Sequence, residues 1–443
     1  MFRNWSKIIL VSTLVLMVAA SLSFATTARV RSLAHTGDYM SDDSNAYRWY
    51  SVLPQYANQV NAEVGTYTGS GSLSDSRGLG WNHACGDEGK WGTYRITLNE
   101  NALDHNGFWM INPFQNEISP GAGASNLGDG SFEVTPINTY DLAGGWEIGE
   151  NMALGVAFTR SRASWESTGA PDSSRTRTWT TIGAGFTWTN NEDMTADLLF
   201  NFGMAGGEDK LGAAATRLVE WDSKNAIDMA GRLFYDWTDE VTVPVKAEFI
   251  TADYSLKRAG TPGNFTAPEG DKLSAFQLGV GINLDVNQDH MLIFAIEFAN
   301  AKWEYSRPDT TDPAPTDLAE ISWTYLPTFR LALESSINSW LTTRVGAARH
   351  MIKTTQKSAD GKEIKQTDGA SDIAYFVPWV LSETPPAAFE WFLGVGFNVA
   401  EWTIDMELAH ETPFSIGYWL TGYSAFSAED EGPVGRIAAT YNY

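Results

Sequence analysis

Acidic and basic side chains recur at alternate positions through much of this sequence, and that spacing bounds the chemistry they could do. Asp141, Glu147, Asp197, Asp228, Asp236, Glu248, Asp285, Glu297, Glu334, Glu390, Asp405 and Glu407 stand among apolar neighbours, as do Arg232, Lys246, Arg330, Arg344 and Arg436. Successive side chains of a strand point to opposite faces, so residues two apart share one face. Charges gathered on one side of a closed sheet can line a path for solutes. Twelve acids against five bases would give that path a negative field that favours cations. The other reading of the same residues is a small, filled interior in which they pair and carry nothing.

Catalytic chemistry finds little support. The six histidines (His35, His83, His105, His290, His350 and His410) show no metal-ligand spacing, and no Gly-x-Ser-x-Gly elbow is present. His350 could face the interior near Arg344, but nothing singles out a serine partner, so a structural or interfacial role is expected of it. The run from Gly121 to Gly130 lacks the spacing and following helix of a dinucleotide site and reads as a flexible loop. The expectation is no enzyme, no catalytic residue, no metal and no cofactor.

Composition narrows the class. The chain has 443 residues, a formal charge of −24 and one cysteine, Cys85, which excludes a disulfide scaffold. A surface this acidic would repel a phosphate polyanion, so nucleic acid is not expected as a partner. With 43% hydrophobic and 13% aromatic residues the chain is not intrinsically disordered. Arg3 and Lys7, the apolar stretch Ile8 to Ala20, and Ser23-Phe24-Ala25 read as a secretory signal peptide over residues 1–25, cleaved after about Ala25. No later run is long enough to span a membrane as a helix, so any crossing must be by strands.

The elements that would hold the charges are legible from about residue 137 onward. Lys272 to Val286 is the clearest case: Phe276, Leu278, Val280, Ile282, Leu284 and Val286 lie on one face, Gln277, Gly279, Gly281, Asn283 and Asp285 on the other. Similar apolar faces occur at Leu154/Val156/Phe158, Leu198/Phe200/Phe202 and Ile321/Trp323/Tyr325/Phe329/Leu331. Short turns rich in Asn, Asp and Glu, such as Thr238-Asp239-Glu240 and Asn287-Gln288-Asp289, alternate with longer polar loops. Short turns at one end and long loops at the other are the pattern of an outer-membrane barrel. A β-propeller also repeats in the forties, but its blades hold four short strands, whereas each repeat here holds two long ones. Trp179, Trp188, Trp237, Trp303, Trp340 and Trp402 fall near strand ends, as interfacial aromatic girdles would.

The fold class expected is therefore all-β: a transmembrane antiparallel β-barrel, most simply of 14 strands (12 to 16 possible), with an N-terminal plug-like segment. The strands fall at 60–67, 137–149, 152–166, 176–190, 194–205, 225–237, 240–257, 272–286, 290–304, 319–333, 339–353, 389–399, 401–410 and 432–443. Segments 91–99 and 371–382 could raise the count to 16. Residues 26–58 form the plug-like segment and 59–443 the barrel, with 68–136 a long inserted loop region. The last strand alternates and ends on Tyr443, resembling the signal read by bacterial barrel-assembly machinery. The expected location is the bacterial outer membrane, with its lipids as surroundings; the oligomeric state is not legible.

The run Gly37-Asp38-Tyr39-Met40-Ser41-Asp42-Asp43 resembles the N-terminal region of the long-chain fatty-acid transporter family. Gly37, Tyr39, Asp42 and Asp43 match its Gly-x-aromatic stretch and Asp-Asp pair. The family's Asn-Pro-Ala element is replaced here by Trp49-Tyr50-Ser51-Val52-Leu53-Pro54. The resemblance implies a plugged 14-strand barrel that moves hydrophobic substrates. Three functions follow: a pore for small solutes with some cation preference, read from the charged face; a transporter of hydrophobic substrates, read from the resemblance; and a non-conducting structural or adhesive barrel.

Overall fold

Sequence of period 2 makes each strand two-sided, and a chain that must satisfy its backbone in lipid can do so with strands only by closing them into a ring. The computed structural model describes residues 27–65, 76–86, 89–100, 138–167, 173–190, 193–211, 216–261, 264–265, 269–287, 289–304, 318–358, 361, 363–367, 389–408 and 434–443. A short helix α1 (Thr27–Ser32) and three 3-10 helices, η1 (Gly37–Tyr39), η2 (Asp43–Tyr47) and η3 (Tyr50–Tyr56), come first. The strands are β1 (Gln59–Gly65), β2 (Ser76–Ala84), β3 (Thr93–Glu100), β4 (Asn138–Glu147), β5 (Met152–Ser167) and β6 (Ser173–Asn190). Then follow β7 (Met194–Leu211), β8 (Thr216–Thr238), β9 (Val241–Thr261), β10 (Asn264–Phe265), β11 (Glu269–Asn287) and β12 (His290–Glu304). The last are β13 (Leu318–Asn338), β14 (Leu341–Ser358), β15 (Glu363–Thr367), β16 (Phe389–Val399), β17 (Trp402–Leu408) and β18 (Val434–Asn442).

Antiparallel ladders run in chain order from β2 to β9, pass from β9 to β11, and continue through β14 to β16, β17, β18 and β1. The ring closes where β1 lies against β2. There the Ala84 N–H donates to Asn58 Oδ1 at 3.1 Å, and Asn82 Nδ2 donates to the Tyr56 carbonyl at 3.0 Å. Among the described residues sixteen strands form the wall, and the two-residue β10 pairs with the end of β9. The short β15 pairs only with the far half of β14, from Lys353 to Lys357, and stands outside the ring. The expected 14 strands thus become 16, because β2 and β3 come from the stretch read as an insertion. The suggested strand at 91–99 is β3; the one at 371–382 lies outside the described residues, as does the glycine-rich run at 121–130.

The outer face is a band of exposed apolar side chains, among them Leu154, Val156 and Phe158 on β5 and Phe276, Leu278, Val280 and Ile282 on β11. Water would not tolerate so continuous an apolar surface, whereas acyl chains require it. At the short-turn end Trp188, Trp237, Trp340 and Tyr443 are exposed, and Trp402, Tyr441 and Tyr443 stack in sequence. Trp81 Nε1 donates to the Tyr443 hydroxyl at 2.6 Å, so the chain end is fastened across the closing seam. Wall height is uneven: β8 has 23 residues and β13 has 21, against 7 in β1 and β17. A strand crosses a bilayer in about 9–11 residues, so the tall side rises well beyond it.

Candidate functional site

The inward face holds two layers of opposite character. Nearer the short turns, residues 27–58 pack inside the ring against inward side chains. The wall makes room with glycine. A Cβ at Gly155 would fall 2.2 Å from the Tyr50 carbonyl carbon, one at Gly346 2.6 Å from the Ala34 nitrogen, and one at Gly279 1.8 Å from the Tyr39 hydroxyl. Trp49, Tyr50 and Leu53 are fully buried there.

Two sets of ion pairs fasten this segment. On the side of β13–β18, Arg29 bridges Asp42 at 2.5 Å and Glu334 at 2.7 Å. Arg344 bridges Glu334 and Asp405, each at 2.6 Å. Arg31 meets Glu407 at 2.9 Å, and Arg436 pairs with Glu63. On the opposite side Asp38 takes Lys246 at 2.5 Å and Arg48 at 3.2 Å, and Arg48 also pairs with Glu248. Arg232 pairs with Asp197 at 2.8 Å while stacking on Trp49. Between the two sets, across β12 and β13, Arg330 pairs with Glu297 at 2.8 Å and donates to the Ala34 carbonyl, and the Tyr39 hydroxyl donates to Glu297. Arg95 pairs with Asp141 at 2.6 Å and donates to the Ala46 carbonyl. Burial opposes ionisation of Asp38, but Lys246 and Arg48 outweigh it and hold the carboxyl well below the usual carboxylate range. Asp43 goes the other way: burial first, then Asp42 and Asp405, push its carboxyl well above that range.

Farther from the turns the wall becomes apolar. Trp179 on β6, Ile250 on β9, Leu273 on β11, and Trp323 and Tyr325 on β13 are buried in one cluster, which Trp49, Tyr50, Val52 and Leu53 of the segment join from the turn side. Small residues, Ala226, Ala252, Ala275, Ala299 and Ala301, fill the positions between them. Two of these aromatics reverse their sequence-based assignment. Trp323 and Tyr325 read as part of the lipid face with Phe329 and Leu331. A register shift between Tyr325 and Thr328 turns the strand over, so the first pair faces inward and Leu331 outward. Trp179, read as part of a girdle, is 3% exposed inside the barrel.

The structure puts Asp141, Asp197, Asp228, Arg232, Lys246, Glu248, Glu297, Arg330, Arg344, Asp405 and Arg436 inward and buried, with Glu334, Glu390 and Glu407 half-buried beside them. Glu147, Asp236 and Asp285 sit exposed at the short-turn rim, apart from the rest. His350 is buried with its Nδ1 at 3.1 Å from Thr328 Oγ1 and its Nε2 at 3.4 Å from Glu390. Sequence reasoning missed the counter-charges Arg29, Arg31, Arg48 and Arg95. The signal was available: each lies in a stretch read as plug or insertion, where no face could be assigned. Among the described residues no group of His, Cys, Asp and Glu is arranged to hold a metal.

A closed ring of antiparallel strands with an apolar exterior and an aromatic rim decides the class. The chain is a closed β-barrel with a membrane-facing exterior. No family model matches the sequence, and no curated protein matches it. Among solved structures it is similar to the CymD monoaromatic hydrocarbon channel (9% identity, TM-score 0.38), covering 96% of this chain and 98% of that one. It is also similar to a Pseudomonas aeruginosa FadL homologue (11%, TM-score 0.40, 95% and 99%) and to the Ralstonia pickettii toluene transporter TbuX (10%, TM-score 0.36, 95% and 97%).

Proposed function

We propose that this outer-membrane barrel transports small hydrophobic molecules, with residues 27–58 acting as a plug. One observation carries the reading: Trp179, Ile250, Leu273, Trp323 and Tyr325 make the inner wall apolar on the tall side, farther from the short turns than the charged side chains that hold the segment. Water gains nothing from such a wall, whereas an apolar solute gains about 25 cal/mol per Å² of surface removed from water. The negative field expected of an open, cation-preferring pore loses its basis, because the inward acids are matched by arginines of the wall and of the plug. Short turns would face the periplasm and the tall wall the outside, so a solute meets the apolar layer first and the plug second. The acidic lining then serves to seat the plug, and the strand ending at Tyr443 serves as the assembly signal.

The test pairs two assays on the full chain. In planar bilayers under a salt gradient, the barrel should give no stable current steps. In cells with an intact outer leaflet, its expression should speed uptake of a labelled alkylbenzene, and Leu273→Asp should abolish that gain while leaving heat-modifiable gel mobility unchanged. Steady cation-selective current without uptake would overturn the proposal.

A further inference from the structure

One patch of the inner wall, beside Tyr50, carries polar atoms with no hydrogen-bond partner. They are Thr181 Oγ1, Asn201 Oδ1, Asp228 Oδ1, Trp179 Nε1 and the Tyr50 hydroxyl, all buried. Register brings them together: Gly183 of β6 stands opposite Asn201 of β7, and Asn201 opposite Asp228 of β8. Thr181 and Trp179 are the next two inward positions beyond Gly183 on β6. Asn201 Nδ2 donates to Asp228 Oδ2 at 3.1 Å, which leaves one oxygen of each residue unused.

The patch is hollowed at Gly183, and an aromatic ring fills the hollow. A Cβ at Gly183 would fall 2.3 Å from Tyr50 Cε2 and 2.4 Å from Asn201 Oδ1. The Tyr50 phenol therefore lies against Asn201 without using the acceptor there. Each unpaired buried polar group is costly to the fold, and five in one patch next to the apolar layer describe a surface shaped for another occupant.

We infer that the Gly183 recess is the polar end of the substrate path, and that it takes a neutral ring compound bearing a hydroxyl, of the phenol or alicyclic-alcohol class, in place of the Tyr50 ring. The inference rests on the hydrophobic-transporter reading. A hydroxyl fits because it both donates and accepts: it donates to Asn201 Oδ1 or Asp228 Oδ1 and accepts from Thr181 or Trp179. A plain hydrocarbon leaves all four unpaired. A carboxylate would meet the Asp228 carboxylate, and the nearest cation, Arg48, is already shared by Asp38, Glu248 and Asp228.

Three probes of similar size separate these cases: ethylbenzene, 4-ethylphenol and 4-ethylbenzoate, titrated calorimetrically into the full chain in detergent. The phenol should bind about tenfold tighter than the hydrocarbon, and the benzoate should not bind. The double variant Thr181→Val/Asn201→Leu should bring phenol and hydrocarbon within about twofold. Tyr50→Ala should strengthen phenol binding by removing the resident ring, a gain that misfolding cannot mimic. Equal binding of phenol and hydrocarbon, a preference that survives the double variant, or weaker phenol binding by Tyr50→Ala overturns the inference and leaves the transporter reading intact. Failure of every probe to bind overturns both.

Discussion

Gly155→Ala adds one methyl group and tests whether the wall is shaped to hold the plug. Gly155 lies near the start of β5, facing inward between the outward Leu154 and Val156. The new Cβ would sit 2.2 Å from the Tyr50 carbonyl carbon, 2.3 Å from its oxygen and 2.4 Å from the Ser51 nitrogen. All three are backbone atoms, so no flexible side-chain end can swing aside. Overpacking costs about 1–3 kcal/mol, and three backbone clashes put this case near ~3 kcal/mol by the same scale. That cost falls on the packing of Tyr50 and Ser51 against the wall and not on the lipid face. At about 1.4 kcal/mol per factor of ten, the unseated population should rise about a hundredfold.

Limited trypsinolysis reads that population, because cleavage of a transiently opened segment follows its equilibrium when reclosing is fast. Arg29, Arg31 and Arg48 are the target bonds, and in the native barrel their side chains are held in ion pairs on the inner wall. Cleavage at these sites, identified by mass, should accelerate by about two orders of magnitude in Gly155→Ala. Gly231→Ala is the control: its Cβ meets only the end of the Leu198 side chain at 3.2 Å and a backbone oxygen at 3.7 Å. Equal protection of Gly155→Ala and the native chain would refute the claim that the glycine wall is a seat.

Arg344→Leu should lower the temperature at which heat-modifiable mobility is lost, since it strands Asp405 and half of the Glu334 pairing in a buried site, a defect of about 3–5 kcal/mol; an unchanged transition would show that these pairs contribute nothing. The Asp38 carboxyl is held below the ordinary range, so its stabilising effect is present above its unfolded pKa and is lost only as pH falls through the lower folded value. The protection factors of residues 38–50, corrected for the intrinsic exchange rate, should therefore be no lower at pH 4.5, just above the ordinary Asp value of about 3.9, than at neutral pH, and Asp38→Asn should lower them at both; a loss of protection in the native chain on going from neutral pH to 4.5 would contradict the assignment. Tyr443→Ala removes the acceptor for Trp81 Nε1 and one member of the aromatic stack, and should slow appearance of the heat-resistant folded band in a refolding time course without shifting its final mobility; unaltered kinetics would dissociate the chain end from closure of the seam.

How much of this could be read from the sequence depends on where period 2 holds. On β5, β7 and β11 it is unbroken, and the lipid and lumen faces assigned there are the ones found. On β13 the alternation reads Trp323, Tyr325, then Phe329 and Leu331, and although Pro327 between them marks an interruption of the ladder, it does not say on which face the strand resumes. The change comes from a register shift against β14 at Tyr325–Thr328, a pairing property that only a partner strand reveals. Because of it, the aromatics that make the interior apolar were counted as lipid contacts, and the interior was left with charges alone, which argued for an ionic pore. The counter-charges failed to register for a related reason. Arg29, Arg31 and Arg48 belong to short 3-10 and helical turns with no period of their own, and their positions are set by glycines on four separate strands, Gly155, Gly279, Gly346 and Gly394, distant in sequence. Gly279 stands on the face opposite the apolar one in the β11 alternation. Small residues repeating on the inner face of long strands are a signal that something closely packed lies against it, and here the acidic lining is what residues 27–58 pack and pair against.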